Sequence, residues 1–162
     1  MTLTVPEDMH AVLMRRVPGV AASQLQLRVA EFLKFLQLAA CMNARHLPIS
    51  AEIDEVWHAF ILETRVYAAL CEQAGGFVHH TAKEADPGST TLRQLDDDLA
   101  FVVAYLEHFG EFPKAALPLW PALNRLSAHL GVSIDELGHF ARALGQEKAG
   151  LLVANAPSRG RG

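Results

Sequence analysis

The reactive side chains of this protein are concentrated in residues 53–80, IDEVWHAFILETRVYAALCEQAGGFVHH. This segment contains Asp54, Trp57, His58, Tyr67, Cys71, His79 and His80. Asp54 and His58 are one helical turn apart, so on a helix their side chains share one face, with about 5–6 Å between their Cβ atoms. A carboxylate and an imidazole placed in this way can share a metal ion or hydrogen-bond to each other. The segment therefore predicts either a metal site or a polar network that stabilises the fold.

The predicted metal ligands are Asp54, His58, His79 and His80, with the last two supplied just after a glycine turn. Nitrogen and oxygen donors from a helix and a returning loop suit zinc or another divalent transition metal. The spacing matches no high-specificity zinc motif, because the chain has neither CxxC nor HExxH. The alternative is structural: the acid and the first histidine brace a helix pair, and the His-His pair contributes one buried and one exposed ring.

Cys71 is separated from His58 by a distance that depends on whether the helix is continuous. Thirteen residues of unbroken helix between them correspond to a rise of about 20 Å, which excludes a shared ion. The two side chains can meet only if the helix breaks near residues 63–64, with Thr64 as a second N-cap. Without such a break Cys71 is a small buried hydrophobic residue, and we favour this core role.

Three aromatic residues, Trp57, Tyr67 and Trp120, are expected to be structural. Trp57 and Tyr67 lie at helical spacing with apolar neighbours and are expected to be buried. Buried N–H and O–H groups need partners, and Asp54, His58 and His79 are the natural candidates. Trp120 is expected to anchor the proline-punctuated stretch EFPKAALPLWP against the body of the protein.

The composition restricts the classes of protein to consider. A chain of 162 residues, 51% of them hydrophobic, is expected to form about one domain with a sizeable core. A net charge of -4 disfavours nucleic-acid binding, which requires a basic face. No apolar run approaches the ~20 residues that span a bilayer. Two cysteines make no disulfide framework, and the acidic N-terminus does not resemble a targeting signal, so we expect a cytoplasmic protein with reduced thiols.

Helical periodicity dominates the chain and predicts an all-α fold, a single compact, orthogonal or irregular bundle of five to seven helices. Predicted helices cover residues 7–16, 22–43, 91–109, 122–130 and 133–144, besides the reactive segment, which begins after an N-cap at Ser50 and ends at Gly75 and Gly76. The domain is expected to span residues 1–154, and residues 155–162 are expected to be a disordered tail. The inward face of the helix at 91–109 is expected to consist of Leu92, Leu95, Leu99, Val102, Val103 and Leu106.

The last two helices, within residues 122–146, are interpreted as an ordinary helical hairpin. Ser133 and Glu136 form a capping box at the start of the second helix. The text LGVSIDEL is superficially like a helix-turn-helix, but Asp135 and Glu136 place acids where a recognition helix needs basic or amide side chains.

The central segment resembles a known family on several motifs together. Its Asp-x-x-Trp-His, the following Tyr-x-x-x-Cys, the glycine turn and the closing His-His, with FGE and Trp-Pro further on, are similar to bacterial relatives of the plant glycine-rich domain-containing proteins. The similarity covers residues 29–121. It implies an all-helical fold and no established activity. Many of these relatives have a second histidine where this chain has Phe60, and a proline where it has Thr64.

Three functions follow from these observations. The first is an accessory helical module whose Asp54, His58, His79 and His80 organise a polar pocket around a divalent metal, with a protein partner and without nucleic acid or membrane. The second is a metal-dependent enzyme in which Asp54 is a ligand or general base. The third is a protein-binding scaffold that uses an exposed apolar groove near Trp120.

Overall fold

The protein is entirely helical in the part of the chain that the structure describes. The computed structural model describes residues 2–42, 48–80 and 91–154. These residues form seven α-helices and one 3₁₀ helix, and they contain no strand. The elements are α1 (Met9–Arg16), α2 (Ala22–Cys41), α3 (Ala51–Leu62), α4 (Thr64–Ala74), α5 (Leu92–Phe109), the 3₁₀ helix (Lys114–Leu119), α6 (Pro121–Leu130) and α7 (Ile134–Ala154). The predicted all-α class is confirmed.

The ends of the reactive segment follow its local chemistry. The hydroxyl of Ser50 accepts a hydrogen bond from the backbone N–H of Ile53 at 3.2 Å, which caps α3. The helix does break after Leu62, a point that the sequence left open. The expected cap is wrong, however: Thr64 is the first residue of α4, and Glu63 occupies the capping position without a side-chain hydrogen bond. Gly75 ends α4 at φ 103°, a conformation that glycine adopts without steric cost.

Helix α2 lies at the centre of the bundle and contacts α1, α3, α4, α5 and the 3₁₀ helix. Its Phe32 stacks on Phe60 of α3, with ring centroids 5.0 Å apart. Its Phe35 meets Trp57 edge-on at 5.1 Å. Helices α6 and α7 pack against α5 and against each other. The core therefore runs from the α2–α3 contact on one side to the α5–α6–α7 contact on the other.

The predicted helix at residues 91–109 is correct in extent, but one of its inward residues is not. Leu92 is 75% exposed, because it opens the first turn of α5 before the helix reaches the core. The buried face is instead completed by Asp98, Phe101 and Tyr105. Helix α7 continues to Ala154, ten residues beyond the predicted end at residue 144.

The capping box at the start of α7 is present as predicted. The N–H of Ser133 donates to Glu136 Oε2 at 2.8 Å, and the N–H of Glu136 donates to Ser133 Oγ at 3.2 Å. The hydrogen bond from the Ser133 backbone N–H is the main reason that the pKa of the Glu136 carboxyl lies below its usual value. The predicted tail, residues 155–162, lies outside the described residues. None of the helices within the described ranges has both the length and the apolar character to cross a bilayer.

Candidate metal centre

Three of the four predicted ligands converge at one end of α3. Asp54, His58 and His80 each offer a donor atom, and these atoms lie within 4.8 Å of one another. Helix α3 places Asp54 and His58 one turn apart, and the chain beyond α4 returns to bring His80 beside them. His80 Nε2 is 2.8 Å from Asp54 Oδ1, and His58 Nδ1 is 3.4 Å from Asp54 Oδ2.

The group lies at the surface with one protected side. The side chains of Asp54, His58 and His80 are 37%, 56% and 20% exposed. The ring of His80 is held edge-on between Trp57, at 4.5 Å, and His58, at 4.4 Å. An ion here would be reachable from solvent, with His80 as its most restrained ligand.

The hydrogen bonds assign a tautomer to each histidine. His58 Nδ1 is 2.8 Å from the backbone carbonyl oxygen of Asp54, so Nδ1 carries the donated proton and Nε2 keeps its lone pair. A metal-bound histidine commonly donates a hydrogen bond from the ring nitrogen that does not bind the metal. His80 Nε2 donates to the Asp54 carboxylate. Binding of an ion between His80 Nε2 and Asp54 must therefore displace a proton.

The dimensions of the group fit a small divalent cation after modest side-chain rotation. Bonds of about 2.0–2.1 Å in a tetrahedral zinc site place neighbouring donor atoms about 3.3 Å apart. The spread of up to 4.8 Å between these donor atoms exceeds that separation by an amount that side-chain rotation can close. Two imidazoles and one carboxylate are borderline ligands that suit zinc and related transition metals.

A buried hydrogen-bonded chain fastens the segment that carries His80. Trp57 Nε1 donates to Tyr67 Oη at 3.0 Å, and Tyr67 Oη donates to the carbonyl oxygen of Val78 in a very short hydrogen bond. Burial raises the pKa of Tyr67 well above its usual value, so this hydroxyl stays protonated. The predicted partners of the two side chains, Asp54, His58 and His79, are wrong, because Trp57 and Tyr67 are directed at each other and at the backbone. Together these bonds fix the backbone two residues before His80.

His79, the fourth predicted ligand, is not brought to the group. Its ring is exposed and packs against Phe77, with centroids 4.9 Å apart. Neighbouring side chains of an extended segment point in opposite directions, so only one residue of the His-His pair can face Asp54. Cys71 is fully buried in the core, in keeping with the favoured role, although the helix does break before it.

Trp120 belongs to a second polar cluster that the sequence reasoning missed. It is fully buried, so the expected exposed groove cannot include its ring. Trp120 Nε1 donates to Glu31 Oε2 at 2.9 Å, Tyr105 Oη donates to the same oxygen at 2.7 Å, and Lys34 Nζ lies 2.7 Å from Oε1. Burial and the Glu31 carboxylate raise the pKa of Tyr105 above its usual value.

The Glu31 carboxylate is paired on both oxygens, which indicates a structural role. A signal for it existed in the sequence: Glu31, Phe35 and Leu38 recur at helical spacing, and all three are buried. Asp98 is a similar case, because both of its carboxylate oxygens accept hydrogen bonds from Arg125, at 2.7 and 2.8 Å.

Comparison with known proteins concerns mainly the first five helices. A family model described as UCP032817-like matches residues 1–102. The chain belongs to this family. No curated protein and no solved structure matched the chain. The UCP032817-like match includes Asp54, His58 and His80, so the whole candidate metal centre lies within the family segment.

Proposed function

We propose that this UCP032817-like protein is an accessory helical module that binds one divalent transition metal through Asp54, His58 and His80. The observation that carries the proposal is the convergence of two imidazoles and one carboxylate from separate parts of the chain. Zinc is the first candidate because this donor set and spacing suit it. A protein partner, and the resemblance to relatives of plant glycine-rich domain-containing proteins, stay predictions.

A second candidate function is metal-dependent catalysis at the same site. Three protein ligands leave one tetrahedral position for water or substrate, which is typical of catalytic rather than structural zinc. The exposure of His58 supports access to that position. Hydrolytic activity that requires both zinc and His58 would favour this candidate over the accessory module.

Metal titration of the untagged protein tests the proposal. Zinc added to metal-free protein should bind with one-to-one stoichiometry. Calorimetry, or competition with a chromophoric indicator, measures this binding. His80→Gln and Asp54→Asn should each weaken binding at least about ten-fold, because each removes a ligand. His79→Gln is the matched control, since it changes the adjacent exposed histidine, and it should bind zinc like the wild type.

Protons should compete with the metal. Imidazole nitrogens bind metals only when unprotonated, so zinc affinity should fall as the solution is acidified. Absence of saturable zinc binding at pH 7.5, or equal loss in His79→Gln and His80→Gln, would refute the proposed ligand set.

A further inference from the structure

A cleft of about 380 Å³ opens on the far side of the bundle from α3, between α5, α7 and the segment before α6. Its volume lies in the range of small-molecule sites. Its apolar lining comes from four parts of the chain, α5, the segment before α6, α6 and α7: Val102, Leu106, Phe112, Leu117, Leu123 and Ile134. All of these except Val102 follow the segment that the UCP032817-like family model matches. The cleft is therefore separate from the candidate metal centre and does not depend on the proposed function.

Gly138 leaves open space in the wall of this cleft. It lies in the interior of α7, where glycine weakens a helix relative to alanine. Close packing against another helix would explain a glycine here, but a Cβ atom built on Gly138 meets no atom within 4 Å. The free space instead lets a bound molecule approach the helix backbone.

The part of the lining that contains Phe112 is held in place by neighbouring side chains. Phe112 stacks on Tyr105 with ring centroids 3.8 Å apart and an interplanar angle of 10°. Tyr105 is in turn held by its hydrogen bond to the buried Glu31 carboxylate. The second polar cluster thus holds the Phe112 ring in place. This is expected of a cleft that already exists before a ligand binds.

The charged rim favours an anionic group on the ligand. Arg142 makes a single contact with Glu111, from Nη2 to Oε1 at 3.0 Å, and the Glu111 side chain is 80% exposed. Such an exposed pair is weak, and a guanidinium has several further donors. Lys114 and His139 add two more cationic or donor groups to the lining. Asp135 and Glu111 oppose a second negative charge on the ligand.

We propose that this cleft binds a small monocarboxylate with an apolar body. The apolar body lies against Phe112 and in the space before Gly138, and the carboxylate replaces Glu111 as the partner of Arg142. Octanoate is a suitable probe because it combines one carboxylate with a chain that the apolar lining can cover.

Calorimetric titration of the full chain with octanoate tests this proposal. The wild type should bind one equivalent with a Kd on the order of 1 mM or lower. Gly138→Leu fills the cleft and should weaken binding at least about ten-fold. Phe140→Ala, which changes an exposed apolar residue on α7 outside the lining, is the matched control and should leave the affinity unchanged.

Octanol and Arg142→Gln examine the role of charge. Octanol should bind the wild type more weakly than octanoate, and Arg142→Gln should abolish that difference. Nuclear Overhauser effects between octanoate and the Phe112 ring in the wild type keep the test decisive if Gly138→Leu fails to fold. Absence of saturable octanoate binding, absence of these effects, or equal affinity for octanol and octanoate would overturn the proposal.

Discussion

Tyr67→Phe is the most informative substitution, because one hydroxyl connects the core to the segment that carries His80. That hydroxyl accepts from Trp57 Nε1 and donates to the carbonyl oxygen of Val78. Phenylalanine keeps the ring and removes only these two bonds. Trp57 and Val78 are 4% and 7% exposed, so neither freed group can readily reach water.

The expected cost follows from the two unsatisfied groups. A buried donor or acceptor that loses its partner costs about 1–3 kcal/mol. Allowing for partial relaxation, Tyr67→Phe should lower the free energy of unfolding by about 2–4 kcal/mol. For a chain of this length that corresponds to a decrease in Tm of about 5–15 °C. Zinc affinity should also fall about ten-fold, because His80 loses the backbone anchor two residues before it.

Tyr105→Phe supplies the matched control. Its hydroxyl is equally buried, but it contacts Glu31 and Lys34 rather than the segment that carries His80. It should destabilise the fold in urea unfolding, though less than Tyr67→Phe, because both Glu31 oxygens keep another partner. It should leave zinc affinity unchanged. If the two variants bind zinc with equal affinity, Tyr67 has no positioning role at the metal centre.

Three further predictions concern stability. Asp98→Asn should lower the free energy of unfolding by about 2–4 kcal/mol, measured by urea unfolding, because Arg125 loses a buried partner; a change below about 0.5 kcal/mol, typical of a surface substitution, would contradict this. Gly138→Ala should raise Tm, because the added Cβ meets no atom and alanine favours a helix more than glycine does. Gly75→Ala should lower Tm, because the backbone there has φ +103°. Equal effects of the two substitutions in thermal scans would refute the geometric reasoning. Both tyrosines of the chain have pKa values raised by burial, so above about pH 10 the unfolded chain loses protons that the folded chain keeps. The free energy of unfolding should then fall by about 1.4 kcal/mol per pH unit for each tyrosine, measured by urea unfolding at pH 9 to 11, and constant stability over that range would exclude the effect.

Local signals were read correctly from the sequence where one short segment contains all the atoms involved. The Ser50 cap, the Gly75 stop and the Ser133–Glu136 capping box are of this kind. Each depends on backbone groups within a few residues, so helical periodicity and residue type suffice to predict it.

The errors concern partners that are distant in sequence. Glu31 is a buried acid with two partners 74 and 89 residues away along the chain, and the partner of the buried Asp98 is 27 residues away. No local pattern identifies these distant partners. Adjacent residues of an extended segment face opposite sides, so only one of His79 and His80 can face Asp54. Which of the two it is depends on how the chain leaves the glycine turn. The Asp54–His58 face was predictable because a single helix fixes it.

The buried carboxylates of Glu31 and Asp98 have a consequence for any attempt to isolate the segment that the family model matches. Both residues precede residue 103, whereas Tyr105, Trp120 and Arg125 follow the segment matched by the family model. A fragment cut at that boundary would retain both buried carboxylates but lose the only ion-pair partner that Asp98 has among the described residues and two of the hydrogen-bond donors to Glu31. We therefore expect a stably folded fragment to extend at least through α6, and expression boundaries should be drawn beyond it.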